Sequence, residues 1–390
     1  MEIVDGDVQA TRAVAEGVLH MTLGSLEALD ASSGMQALRF STVDGSSDTP
    51  TTVIVKRVAR GSGHYDPDAR DGPAWWLFND WAGLDFLDQL AGEQSPAARF
   101  YGGDRRVGLL VLEDLGAIAH LDALLLGHDP VAAEAALRRL AATLGRMHAL
   151  TIGRGEEYRR VRTALGPENP RAPDTRYDWI APTVHTMAET MAIEPPAHLD
   201  EDLTLLTMRL SNPAPFLAYI HGDACPDNCV HIGNTVRLFD FEHGRFGPAL
   251  LDGVYGRLPF PSCWCIGRLP EPVARDMEEM YRAALSHGCP AAADDTLFYR
   301  AVVEACVYWL AHFARLHPLA EVLERDSLWD TATMRQRCLL RIDSVDRALR
   351  EVAHLGAIGA LIATIAVKLH TLWDPTTKPI PYYPAFRQSH

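Results

Sequence analysis

Residues 216–244 read FLAYIHGDACPDNCVHIGNTVRLFDFEHG, and this stretch concentrates the side chains that could do chemistry. A first apolar run delivers Asp223 at a turn, and the D-x4-N spacing lets Asn228 fold back beside it. A second apolar run ends at Asp240, with Glu242 two residues on and so on the same side of an extended chain. Hard oxygen donors of this kind, few and partly open, suit a magnesium ion that also holds phosphate oxygens. A carboxylate that does not bind the metal can accept the proton of an attacking hydroxyl. Phosphoryl transfer needs these parts and a cation on the departing phosphates. Only three of the 36 basic residues are lysines (Lys56, Lys368 and Lys378), so each lysine marks a place where arginine does not serve. Lys56, a point charge on a long stem within the apolar run TTVIVKRV, is the candidate cation.

The elements that must position these residues can be read from pattern. QALRFSTV and TTVIVKRV read as strands rich in β-branched residues, and RFYGGDRRVGLLVLEDLG as a turn between two more, running into a short linker. Between them PAWWLFNDWAGLDFLDQL has apolar residues at helical spacing with Pro73 at its start. The first 115 or so residues therefore read as a small antiparallel sheet with one helix. Beyond them the pattern is helical, in AEAALRRLAATLGRMHAL, PVARDMEEMYRAAL, TLFYRAVVEACVYWLAHFARL and MRQRCLLRIDSVDRALREVAHL. The exception is a hairpin, CVHI and TVRLFDF about Gly233-Asn234. LGAIGALIATIAV, ending at Lys368, reads as a core helix too short to span a bilayer.

Bulk properties narrow the function classes. At 390 residues two lobes are expected. A net charge of −15 argues against nucleic acid or an anionic membrane as partner and suits, weakly, a cationic small molecule. The acidic start MEIVDGDVQA lacks the features of a secretory signal, so a cytoplasmic location with reduced thiols is expected. Seven cysteines form no regular framework. Cys263 and Cys265 make an isolated C-x-C with no second half, which argues against zinc. The acids Glu189, Glu194, Asp200, Glu201 and Asp202 read as a solvated face, or alternatively as a wall that attracts a cationic acceptor.

HGDACPDN followed by LFDFE resembles the signature of the aminoglycoside phosphotransferase and choline kinase-like family, which shares the protein-kinase fold. VIVK, FND, LLVLEDLG, RMHAL and GPALLDG fall in family order around it. The resemblance implies an α+β, bilobal, protein-kinase-like fold. Residues 1–114 would form a small antiparallel β lobe that binds nucleotide, and residues 115–390 a large, mainly helical lobe carrying the catalytic hairpin and acceptor region. It implies Asp223 as catalytic base, Asn228 and Asp240 as magnesium ligands with Glu242 in support, and Lys56 on the α- and β-phosphates of ATP lying between the lobes. Backbone groups from Glu113 to Leu115 would receive adenine, and His221 and Asp252 would be buried braces. The family's lysine partner is a helix glutamate; Asp80 stands at the aligned position, with Asp85 as the alternative. The phosphate-covering loop falls near ASSGMQALRF, where Gly34 is the one glycine. The expected activity is transfer of the γ-phosphoryl of ATP to a small-molecule hydroxyl, in the manner of an antibiotic phosphotransferase. The alternatives are a kinase for choline, an amino alcohol or a sugar, and a catalytically silent nucleotide-binding regulator.

Overall fold

The computed structural model describes residues 5–29, 34–43, 50–59, 65–116, 120–167, 176–373 and 377–387. Packing groups the chain into two compact units. The first comprises Met1–Ile118, Arg154–Pro170 and Arg237–Arg245; the second comprises Ala119–Gly153, Arg171–Val236 and Phe246–His390. The expected cut between 114 and 115 is thus a division in sequence, and packing draws it differently. Two later segments join the N-terminal one because their side chains complete its interior.

In the first unit β1 (Leu23–Leu29), β2 (Met35–Thr42), β3 (Thr52–Val58), β4 (Phe100–Asp104) and β5 (Leu109–Glu113) form one antiparallel sheet in the order β1-β2-β3-β5-β4. Alternation along β3 sorts its residues by face. Val53 and Val55 join Leu38, Phe40, Leu109 and Val111 in a buried cluster against Ala15, Val14 and Val18. The last three belong to the helix Asp5–Leu19. This helix and β1 are additions to the expected pattern: the sheet is covered by two helices, one on each face. Lys56 points the other way, toward the helix Pro73–Ala91, in register with Ala37 on one side and Leu110 on the other. That helix sits close to the sheet because Gly103 carries no side chain: a Cβ there would lie 2.5 Å from the Trp81 ring and 2.6 Å from the Leu109 carbonyl oxygen.

The second unit is mainly helical. Its helix Pro130–Thr151 is capped by Asp129, whose carboxylate accepts the Val131 and Ala132 amides. It packs on Glu271–Ser286 at Gly145, where a Cβ would lie 2.5 Å from the Tyr281 carbonyl oxygen. Asp295–Leu316 is buried through its middle, unbroken from Ala301 to Ala311, and Met334–Glu351 opens with a capping box of Thr333 and Gln336. The apolar C-terminal run extends further than expected, as an 18-residue helix, Gly356–Trp373. By length and composition that helix could cross a membrane. In the structure it buries Ile358, Leu361, Ile362, Ile365 and Leu369. Strands β6 (Leu217–Ile220), β7 (Cys229–Ile232) and β8 (Thr235–Leu238) carry the signature stretch; β7 and β8 pair about Gly233, whose φ is 55°. Of this stretch, the residues from Arg237 to Gly244 belong to the first unit.

Gly103→Ala should overpack the seat of Trp81 and destabilise the first unit by about 1–3 kcal/mol. A urea midpoint equal to that of the parent chain would show that the helix can move aside.

Candidate active site

The first unit holds a buried charge cluster. Lys56 Nζ lies 2.6 Å from an Asp80 carboxylate oxygen and 2.5 Å from one of Asp240. Asp80 is fully buried and its second oxygen accepts the Phe241 amide at 2.8 Å. Asp80, not Asp85, is therefore the partner of Lys56; Asp85 accepts the Gln89 side-chain amide at 2.8 Å along the helix surface. The missing methylene relative to a glutamate is no obstacle to this contact. Burial acts on Lys56 to favour the neutral amine, but Asp240 and Asp80 outweigh it, and its pKa is raised. Burial also raises Asp80, against the opposing pull of the ammonium.

Asp240 has φ 68° and ψ 59°, in the left-handed region. Aspartate tolerates that region better than most residues, and it turns the chain sharply at this carboxylate. Glu242 follows in the same turn and is raised to about 7, first by burial and next by Asp240. Its Oε2 is buried with no hydrogen-bond partner. Its carbonyl is fixed by the Asn79 side-chain amide at 3.0 Å, and Asn79 in turn accepts Arg162 Nε at 2.7 Å. Two carboxylates in one turn, one with a buried oxygen that has no hydrogen-bond partner among the described residues, are hard donors. These residues fit a magnesium ion bound to phosphates.

The expected adenine-binding linker is anchored by its side chains. Asp114 accepts Arg39 through both oxygens, at 2.6 and 3.2 Å, and also the Gly116 amide at 2.9 Å. The Glu113 amide is already committed to the Arg99 carbonyl, and its carboxylate pairs with Arg237 at 2.7 Å. Leu115 is half-buried just past β5. Gly34, at φ 77°, precedes β2 and accepts the Ala59 amide at 2.8 Å; residues 30–33 of the expected phosphate-covering loop lie outside the described residues.

The second unit holds Asp223 and Asn228. Gly222, at φ 78°, turns the chain out of β6, and the Asn228 side-chain amide returns to the Asp223 carbonyl at 3.0 Å. His221 Nδ1 accepts the Asp223 amide at 3.3 Å. Beneath the turn Asp252 accepts the His221 amide at 2.7 Å and the Gly222 amide at 3.2 Å, and lies 3.3 Å from His148 Nε2. The other nitrogen of His148 meets the Tyr281 hydroxyl at 2.8 Å. Burial acts to raise Asp252, but His148 and the His221 amide outweigh it, and its pKa is lowered. His221 and Asp252 thus both brace the turn that carries Asp223. His148, read from sequence as a packing residue, and Tyr281, which carried no sequence signal, extend that brace.

Three of the five acids considered as a cation-attracting wall have other employment. Asp202 accepts the Ala357 and Ile358 amides, Asp200 pairs with His185, and Glu201 with His198. A cavity of about 530 Å³ in the second unit is lined by residues that include Arg257, Arg268, Glu278 and Tyr382. None of the expected site residues lines it.

Residues 32–275 match the model of the phosphotransferase enzyme family, a span that contains Lys56, Asp80, Asp223, Asn228, Asp240, Glu242 and Asp252. The chain belongs to this family. It is a phosphotransferase acting on a hydroxyl of a small molecule. Comparison with curated proteins gives no match. Among solved structures, the chain is similar to a choline/ethanolamine kinase family protein from Mesorhizobium loti, at 15% identity and a TM-score of 0.46, covering 91% of this chain and 99% of that one. A choline kinase from Cryptosporidium parvum gives 12% and 0.43, covering 90% of each chain. The streptomycin–ATP–APH(2″)-IIa ternary complex gives 12% and 0.46, covering 83% of this chain and 98% of that one. At such identities and scores these likenesses do not bear on what this phosphotransferase binds.

Asp252→Ala should cost on the order of 3–5 kcal/mol, since two backbone amides and His148 lose their buried acceptor. The folded-state pKa of Asp252 lies below its unfolded value, so its stabilisation is full above the ordinary carboxylate range and is lost as pH falls through the folded pKa. Asp252→Asn should therefore unfold with a shallower acid limb; an acid limb identical to that of the parent would contradict this role.

Proposed function

We propose that this phosphotransferase moves the γ-phosphoryl of ATP to the hydroxyl of a small molecule in a magnesium-dependent reaction. The observation that carries the reading is the Lys56 ammonium held between Asp80 and Asp240. A buried ammonium pinned by two acids is costly to maintain unless its charge is used, and phosphate oxygens use it. In this reading Lys56 exchanges part of its contact with Asp240 for the α- and β-phosphates, while Asp80 keeps it oriented. Asp240 and Glu242 would hold the metal ion. When bound, that ion supplies positive charge against the phosphate oxygens.

Asp223 would accept the proton of the acceptor hydroxyl. Its position is fixed through the main chain, by His221, Asp252 and the Asn228 amide, so the carboxylate itself is left for the acceptor and for the Cys225 thiol, which donates to it at 2.9 Å. General-base help of this kind is worth about 10²–10⁴ in rate. Backbone groups of the linker near Leu115 would receive the adenine ring. The acceptor itself is proposed as an amino-bearing antibiotic or metabolite, on the acidic balance of the chain.

Asp223→Ala should reduce phosphate transfer by about 10²-fold or more while ATP binding, followed by calorimetry with magnesium, stays close to that of the parent. ATP consumption screened against aminoglycosides, macrolides, choline, amino alcohols and sugars identifies the acceptor. Comparable turnover by the Asp223 variant on that acceptor would overturn the assignment.

A further inference from the structure

The isolated C-x-C acquires a second half in the folded chain. Cys225, in the turn after Asp223, and Asp227, two residues further on, approach Cys263, and the ligand atoms of the three residues all lie within 4.8 Å of one another. Cys265 Sγ stands 2.9 Å from Cys263 Sγ. Cys225, Cys263 and Cys265 are each 3% exposed or less, so the thiols face one another in the interior. We propose that Cys225, Asp227 and Cys263 form a binding site for a soft divalent cation of the zinc class, with Cys265 beside it as a further thiol.

Three independent features support the site. The first is the donor set. Two or three sulfurs with one carboxylate oxygen select zinc over magnesium or calcium, and a tetrahedral ion with bonds of about 2.0–2.3 Å places its ligand atoms roughly 3.5–3.8 Å apart. The observed spacing needs only small side-chain movements to meet that. The second is Asp227. Its Oδ2 is fixed by the Trp264 indole N–H at 2.9 Å, while its Oδ1 is buried with no hydrogen-bond partner among the described residues. An orphaned carboxylate oxygen is expensive, and a cation removes the expense. As a half-buried residue, Asp227 also gives the site its way in.

The third is anchoring. Arg337 and Arg341 are fully buried. Arg337 donates to the carbonyls of Cys263, Trp264 and Trp329, and Arg341 to those of Pro261 and Arg337. Two guanidiniums therefore hold the segment that carries Cys263 and Cys265 in place. Magnesium is not the expected ion here, since thiols are poor ligands for it. The site does not depend on the phosphotransferase reading, and its test needs no substrate.

The test uses the full chain, purified under reducing conditions and stripped with a chelator. Zinc added in increments should bind at one equivalent by elemental analysis and raise the thermal midpoint. Cobalt in its place should give the thiolate-to-metal charge-transfer band of a tetrahedral sulfur site. Cys263→Ser and Asp227→Asn should each weaken zinc binding roughly tenfold or more, with circular dichroism confirming the fold, whereas Cys306→Ser should bind as the parent does. Should the serine variant fail to fold, Asp227→Asn decides. Absence of a cobalt–thiolate band, unchanged affinity in the folded variants, or mass spectra showing a Cys263–Cys265 disulfide in place of a metal would each overturn the proposal.

Discussion

Everything in the sheet unit is arranged around one ammonium group that would rather be in water. Lys56 leaves the sheet on the face opposite the Val53 and Val55 core and meets two carboxylates at 2.5–2.6 Å. Burying an unpaired charge costs several kcal/mol, whereas a paired and hydrogen-bonded one is tolerated. The pairing therefore constrains three elements at once: the strand that carries the lysine, the helix that carries Asp80, and the strained turn at Asp240. Asp80 links two of them directly, because its other oxygen holds the amide next to Asp240. Removing the ammonium would leave two carboxylates facing one another, and removing either carboxylate would leave the buried ammonium with a single acid.

The same device recurs. Buried carboxylates orient main-chain amides wherever a turn must be exact enough for chemistry: Asp80 at Phe241, Asp252 at His221 and Gly222, and Asp114 at Gly116. Each acid is in turn held by a basic or imidazole partner, namely Lys56, His148 and Arg39. Asp223, proposed to meet the acceptor, is by contrast fixed largely through its backbone, by His221 and the Asn228 side-chain amide.

Legibility in sequence followed the range of the interaction. The strand lysine stood out through the scarcity of its type, and the D-x4-N and D-x-E spacings lie within single turns, so local pattern sufficed. The strands β2 to β5 and the long helices were equally open to reading, since periodicity reports burial directly. The helix Asp5–Leu19 and β1 were not: their apolar residues are few and mixed with polar ones, and only the sheet face beneath them explains their position. Asp80 over Asp85, the Asn79–Arg162 support for Glu242, and the His148–Tyr281 support for Asp252 join residues far apart in the chain. No single-sequence pattern encodes such pairs. The thiol cluster belongs to the same class, since one half of it sits in the turn after Asp223.

That the sheet unit is closed by Arg237–Arg245 has a consequence for biosynthesis. The first 118 residues leave the ribosome with Asp80 lacking its Phe241 amide, Glu113 lacking Arg237 and Lys56 lacking one of its two acids. Translation must proceed through more than half the polypeptide before the missing nine residues arrive. A nascent chain therefore cannot mature its amino-terminal portion as a free-standing module, and a gene fragment ending at that point encodes an interior with its keystone absent.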